Sequence, residues 1–219
     1  MNIPVEIYPA LQGNGLAMNA FIGRIPGLNL VTDRETALRR LNSFHEGARR
    51  SLGFTEMPFV TAEQVHGCEI GVVTGESSRR VATVDALITN QLDVCLGIYV
   101  ADCCAVYALD TRTGSIGLAH SGRKGTELGI VPKMLAKMQQ HFGTQPADVV
   151  LQLSPCIRPP HYEVDFAAEI VRQASEAGVQ EIIDDGYCTA SDLERFYSYR
   201  AEKGKTGRML ALFALVRQF

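Results

Sequence analysis

No block of like charge stands out in the sequence, and the formal net charge is only -3. A nucleic-acid-binding face or a polybasic membrane patch needs clustered Lys and Arg, so neither partner is expected. No apolar run approaches the roughly 18 residues needed to span a bilayer. The start, MNIPVEIYPA, lacks the basic stretch and apolar core of a secretory signal, so a soluble cytoplasmic protein is expected. No C-x2-C pair occurs among Cys68, Cys95, Cys103, Cys104, Cys156 and Cys188, which excludes zinc-finger spacing. Without export there is no oxidising compartment, so the thiols are expected to be free, most of them as small buried hydrophobes. Low-complexity segments, repeats and Pro/Ser-rich linkers are also missing. The 219 residues, 46% of them hydrophobic, are therefore expected to form one domain over 1–219 with a real core.

The apolar patterning predicts the elements. A strand is expected over 16–22. A helix follows from about 32 to 52, with Thr32 and Glu35 at capping-box spacing and Gly53 as its stop. Short strands are expected at 59–61, 68–73 and 82–89. Residues 94–100 form a nearly continuous apolar run, as in a strand buried on both faces. Strands at 104–109 and 116–120 are joined by a turn over 110–114. A helix over 126–141 places Leu128, Val131, Leu135, Met138 and Phe142 on one core-facing stripe. A strand at 149–153, a helix from the N-cap Asp165 to about Gly178, and a strand over 207–216 complete the chain. Strands and helices do not alternate cleanly, so the expected class is α+β, a single domain with mixed β-sheets packed against helices.

Three short stretches carry candidate chemistry: Gln64-Val65-His66-Gly67, Ala101-Asp102-Cys103 and His120-Ser121-Gly122. Each puts a donor at a strand end or in the turn beyond it, where functional side chains usually sit. Two imidazoles and a thiolate suit zinc and also Cu(I), and three protein ligands leave a fourth position open. Spacing alone leaves the plainer alternative standing, with His66 and His120 as hydrogen-bonded histidines and Cys103 as core.

The ordered set of motifs resembles the laccase-domain family, the YfiH-like multicopper polyphenol oxidoreductase or purine nucleoside phosphorylase-like proteins. Gln64-Val65-His66-Gly67 is similar to its Q-V-H-G, Val84-Asp85-Ala86-Leu87-Ile88-Thr89 to its D-A-L-V-T strand, and Ala101-Asp102-Cys103 to its A-D-C. His120-Ser121-Gly122 resembles the start of H-A-G-W-R-G, and Tyr162-Glu163-Val164 its Y-E-V. Tyr187-Cys188-Thr189, Phe196-Tyr197-Ser198-Tyr199-Arg200 and Thr206-Gly207-Arg208 follow in family order, and Leu28-Asn29-Leu30 matches the early L-N-L. The resemblance spans nearly the whole chain and implies that His66, Cys103 and His120 hold one metal ion, zinc, with copper as the alternative.

It further implies zinc-dependent phosphorolysis of purine nucleosides such as adenosine and inosine, with adenosine deaminase activity in the same site. The partners are then a purine nucleoside and phosphate. Cys103 and His120 are expected to be catalytic as well as ligating, and Arg24, which matches an early family Arg, to serve the reaction. Gln64, Arg123 and Lys124 are the candidate substrate-binding residues, the last two flanking a helix start that would attract an anion. The chain departs from the family at Arg123-Lys124-Gly125 (for W-R-G), at Cys104-Ala105 (for x-P), at Ser154-Pro155-Cys156 (for G-P-x) and at Phe44-His45 (for Asn-Arg). Lys lacks the planar fork that Arg offers phosphate. Three other readings stand beside the first. They are copper-dependent polyphenol oxidation, a Cys103–His120 hydrolase, and a non-catalytic relative in peptidoglycan metabolism.

Overall fold

The computed structural model describes residues 3–55, 57–92 and 94–216. Among these, the strands, numbered along the chain, form two six-stranded sheets. The first runs in the order β1 (Val5–Glu6), β2 (Ala17–Ile22), β12 (Met209–Leu215), β7 (Cys95–Val100), β3 (Phe59–Ala62) and β5 (Arg80–Val81). The second runs β11 (Glu181–Asp184), β10 (Val149–Leu153), β8 (Cys104–Asp110), β9 (Ser115–Ser121), β6 (Ala86–Thr89) and β4 (Ile70–Val72). Both mix parallel and antiparallel pairs, so the α+β expectation holds.

The apolar runs read in the sequence arise because these strands are covered on both sides. Along β8, Ala105, Tyr107 and Leu109 face the core between the sheets, while Cys104, Val106 and Ala108 face the helices behind. The two-residue period of a strand divides one continuous run between two cores. The inter-sheet core contains the edge-to-face pair Tyr107–Phe213, with ring centroids 5.4 Å apart, and the Tyr107 hydroxyl donates to the Ala20 carbonyl across the gap at 2.9 Å. Against the other face of the second sheet lie α3 (Ile130–Phe142) and α4 (Phe166–Glu176). The helix α1 (Arg34–Ser51) packs on the first sheet, with His45 facing Tyr99 and Arg49 over Phe59.

Several local expectations are corrected. The cap of α1 is Asp33, whose carboxylate accepts the Thr36 N–H at 2.9 Å; the Thr32 hydroxyl turns to Asp33 instead of the helix, so the Thr32/Glu35 box does not form. The helix expected over 126–141 is two, α2 (Arg123–Glu127) and α3, broken where Gly129 takes a left-handed φ of 71°. Leu128 consequently leaves the apolar stripe and is exposed. The strand expected over 82–89 begins only at Ala86, because a turn with Thr83 at φ 54° takes its first residues, and β4 begins at Ile70 rather than Cys68. The cap at Asp165 and the strand at 149–153 are as expected. No helix among the described residues is long and apolar enough to cross a membrane.

Candidate metal centre

The chain passes from the first sheet to the second three times, between β3 and β4, between β5 and β6 and between β7 and β8. The β3–β4 and β7–β8 crossings carry candidate ligands. In the first, Gln64 and His66 adopt left-handed backbone, with φ of 64° and 58°. Such geometry costs a non-glycine residue about 1–3 kcal/mol and persists only where the surroundings enforce it. Asp85, fully buried just before β6, enforces it here. Its carboxylate accepts the backbone N–H groups of Val65, His66 and Gly67 at 3.1, 2.9 and 2.7 Å. The Gln64 side chain donates to the Tyr99 carbonyl at 2.6 Å and accepts the Tyr99 N–H at 3.0 Å, as a neighbouring strand would. Gln64 also lines the cavity, and its polar atoms scaffold the crossing.

In the second crossing Asp102 is left-handed (φ 76°) and fixed by its carboxylate, which accepts the Thr189 hydroxyl at 2.7 Å and the Arg200 N–H at 2.6 Å. Cys103 follows at the cavity wall. A Cβ on Gly122 would lie 2.5 Å from its sulfur, so the glycine after His120-Ser121 is what admits the thiol.

His120, near the end of β9, is buried and bonds through Nδ1 to Asp85 Oδ1 at 2.8 Å. A carboxylate on one ring nitrogen sets the tautomer and leaves the other free to ligate. The His66 and His120 rings meet edge to face with centroids 4.8 Å apart. One ligand atom from each of His66, Cys103 and His120 lies within 4.8 Å of the others. Tetrahedral zinc takes these donors at about 2.0–2.3 Å, so the triad fits such an ion with one position left over. Among the described residues it is the single cluster of three or more His, Cys, Asp or Glu side chains able to hold a metal.

The electrostatics suit a cation site. Burial pushes the Cys103 thiol up, but His120 and His66 beside it outweigh burial and bring it down to about 6. Burial pushes His120 down, while the Cys103 sulfur and the Asp85 carboxylate together raise it to about 9. Burial likewise opposes ionisation of Asp85, and its bonds to His120 and the backbone N–H groups hold it below the ordinary carboxylate range. Near neutral pH the metal-free triad is thus a thiolate and an imidazolium anchored on a carboxylate.

The triad opens into a cavity of about 980 Å³ walled partly by Tyr162, Phe166 and Tyr199. Arg123 and Lys124 line it, but they lie inside the five-residue α2 instead of preceding a helix start. Arg123 is paired with Glu127 at 2.9 Å and Glu163 at 3.6 Å. Arg24 is not brought to the cavity. It bonds the Phe196 carbonyl at 3.1 Å and Glu202 at 2.7 Å and lies 4.4 Å over the Tyr197 ring, which corrects the catalytic expectation for it. Two further arginines on the cavity wall are Arg34, at the exposed start of α1, and the buried Arg208. Arg208 sits in the quoted Thr206-Gly207-Arg208 motif, a signal that was present, whereas Arg34 carries none. Asp85 too lay in a quoted motif, without a role assigned from sequence.

The family model described as multi-copper polyphenol oxidoreductase laccase matches residues 22–173 and 163–216. The chain is 31% identical over 195 residues to a purine nucleoside phosphorylase of Corynebacterium glutamicum, covering 76% of this chain and 78% of that protein. It is 31% identical over 223 residues to a purine nucleoside phosphorylase of Deinococcus radiodurans, covering 90% and 85%. The crystal structure of YlmD from Geobacillus stearothermophilus superposes with a TM-score of 0.84 at 26% identity, covering 96% of this chain and 94% of that one. YfiH from Bacillus licheniformis shares the fold, with a TM-score of 0.80 at 23% identity over 91% and 92% of the two chains.

Proposed function

The chain belongs to the multi-copper polyphenol oxidoreductase laccase family, and on that premise we propose that it is a metal-dependent purine nucleoside phosphorylase that also removes the 6-amino group of adenosine. The relatives named as purine nucleoside phosphorylases support the first activity. The observation that carries the reading is a pair of guanidinium groups without a carboxylate partner in the same cavity as the donor triad.

Arg34 and Arg208 both line that cavity, and neither forms an ion pair among the described residues. Burial lowers the pKa of each. Arg80 adds to the effect on Arg34, and Arg34 adds to the effect on Arg208. One Arg208 nitrogen bonds the carbonyls of Thr206 and Gly207, at 3.1 and 2.8 Å, which aims the fork. Arg208 is buried and Arg34 exposed; two like charges on one cavity wall are unfavourable until an anion joins them, and the planar fork suits phosphate. Lys124, at the cavity rim, adds a third cation.

In phosphorolysis a phosphate oxygen bonds to C1′ of the ribose as the C1′–N9 bond breaks, giving free base and ribose 1-phosphate. Arg34 and Arg208 hold the phosphate and offset its charge. Tyr162, Phe166 and Tyr199 offer flat apolar surfaces to the purine. Asp85 keeps His120 oriented, and Gly122 keeps Cys103 close. Zinc, or copper in its place, would be held by His66, Cys103 and His120 and would supply Lewis-acid polarisation. Deamination uses the same purine-binding wall with water in place of phosphate. Phenol oxidation by several coppers would need further donor clusters beyond this one. The cysteines, all free, suit a reducing cytoplasm.

The test is product analysis on adenosine and inosine with the zinc-loaded protein, with and without phosphate. Adenine or hypoxanthine should appear with ribose 1-phosphate only when phosphate is present, and inosine should form from adenosine in either case. Base release independent of phosphate overturns the phosphorylase reading. The low pKa of Cys103 favours one second reading, a cysteine hydrolase. Activity that survives chelation and is lost on alkylation of Cys103 would select it.

A further inference from the structure

On the outer side of the first crossing turn, the Lys133 ammonium lies 2.8 Å from the Cys68 sulfur. Neither residue is used by the site described above. An N–H···O bond has its heavy atoms about 2.9 Å apart, and sulfur is the larger atom, so an N–H···S contact ought to be longer. The pair is instead at the separation that one bent bridging oxygen would span. The approach is built in from both sides. Cys68 follows Gly67, whose N–H is fixed on Asp85. One turn along α3 from Lys133, the Lys137 ammonium donates to the Ile70 carbonyl at 2.9 Å and pins this helix face to the same segment. Glu69, an exposed carboxylate next to Cys68, is passed over as the partner of Lys133. Cys68 is half-buried and Lys133 exposed, so a small oxidant reaches both; Cys95, Cys104 and Cys156 are fully buried.

We propose that Cys68 and Lys133 are a modification site, at which hydrogen peroxide converts the thiol and amine into a covalent S–O–N bridge between the first crossing turn and α3. One thiol, one amine and two peroxide molecules give the bridge and three waters. One S–O and one N–O bond form; one S–H, one N–H and two O–O bonds break. Sulfur and nitrogen each lose two electrons, and the two peroxides accept all four. Two dithiols, each oxidised to its disulfide, together supply four electrons and four protons and return thiol, amine and one water. The bridge ties down the turn two residues beyond His66.

Intact-mass and tryptic analysis of the purified full-length protein after peroxide treatment tests this. The bridge gains one oxygen and loses two hydrogens, so a species heavier by about 14 Da is expected, against about 16 or 32 Da for sulfenic or sulfinic acid. The peptides holding Cys68 and Lys133 should be joined, cleavage after Lys133 lost, and dithiothreitol should restore both. Cys68→Ser and Lys133→Arg should each abolish the species, and Lys137→Arg should keep it. Sulfenic or sulfinic Cys68 with Lys133 still open to cleavage would overturn the proposal. So would a species of the bridged mass that persists in Lys133→Arg.

Discussion

Replacing Asp85 by Asn keeps the shape of the side chain and removes its charge. In the native protein one carboxylate oxygen takes the N–H groups of Val65 and Gly67, and the other takes His66 N–H and His120 Nδ1. An amide has one oxygen and one NH2 group. Whichever way it turns, the NH2 faces two donors. Hydrogen bonds to a charged group are worth about 1.5–3 kcal/mol each, and an unmatched buried donor costs a similar amount. The His120 ring can relieve part of this by changing tautomer, and the turn can relax. The net expectation is about 3 kcal/mol of lost stability in the metal-free protein. If the NH2 faces His120, Nδ1 must accept and the proton moves to the nitrogen needed by the metal. Loss of the carboxylate behind a ligating histidine typically weakens metal binding by about 10–100-fold. Urea unfolding of the metal-free protein gives the first quantity, and zinc titration against a competing chelator gives the second. A variant with the native midpoint and the native zinc affinity would refute the role of Asp85 as the common anchor of the turn and of His120.

Two further outcomes follow from the same geometry. In the metal-free protein Cys103 should alkylate with a rate that rises with pH through about 6 and is flat well before 9, because its neighbours lower its pKa and ionisation is complete above that point. A rate still climbing from pH 8 to 9 would contradict the thiolate–imidazolium pair. Arg34→Ala should raise the KM for phosphate by roughly tenfold or more, the loss of one charge-assisted contact of about 1.5–3 kcal/mol, with zinc content unchanged on elemental analysis. An unchanged phosphate KM would remove Arg34 from the anion pocket.

The central strands were legible because both of their faces are buried, which leaves a continuous apolar run in β7, β8 and β9. The edge strand β11 was not, since Glu181–Asp184 is acidic at both ends and takes its place only by pairing in parallel with β10. The cap of α1 was misassigned because Thr32 and Asp33 both precede the helix, and the charged side chain won the Thr36 N–H. The ligands were legible as motifs, yet the residues that hold them in place were not. The cavity draws Arg34 and Arg208 from distant parts of the chain, and no local spacing connects them. Two of the departures from the family pattern turn out to answer one another. Where the family carries proline, Ala105 has an N–H to satisfy, and the Ser154 hydroxyl, in place of the family's glycine, accepts it at 2.9 Å.

His66 and Cys103 lie on two of the stretches of chain that leave the first sheet for the second, and His120 belongs to the second sheet. An ion held by all three acts as a rivet through two plates. Its preferred bond lengths would be satisfied at one alignment of the plates, and the plates are tied together in the seam by the Tyr107–Phe213 contact and the Tyr107–Ala20 bond. A change of volume in that seam that shifted one plate against the other would be felt at the rivet as a change in donor separation. Discrimination between metals can thus be adjusted by residues that never touch one.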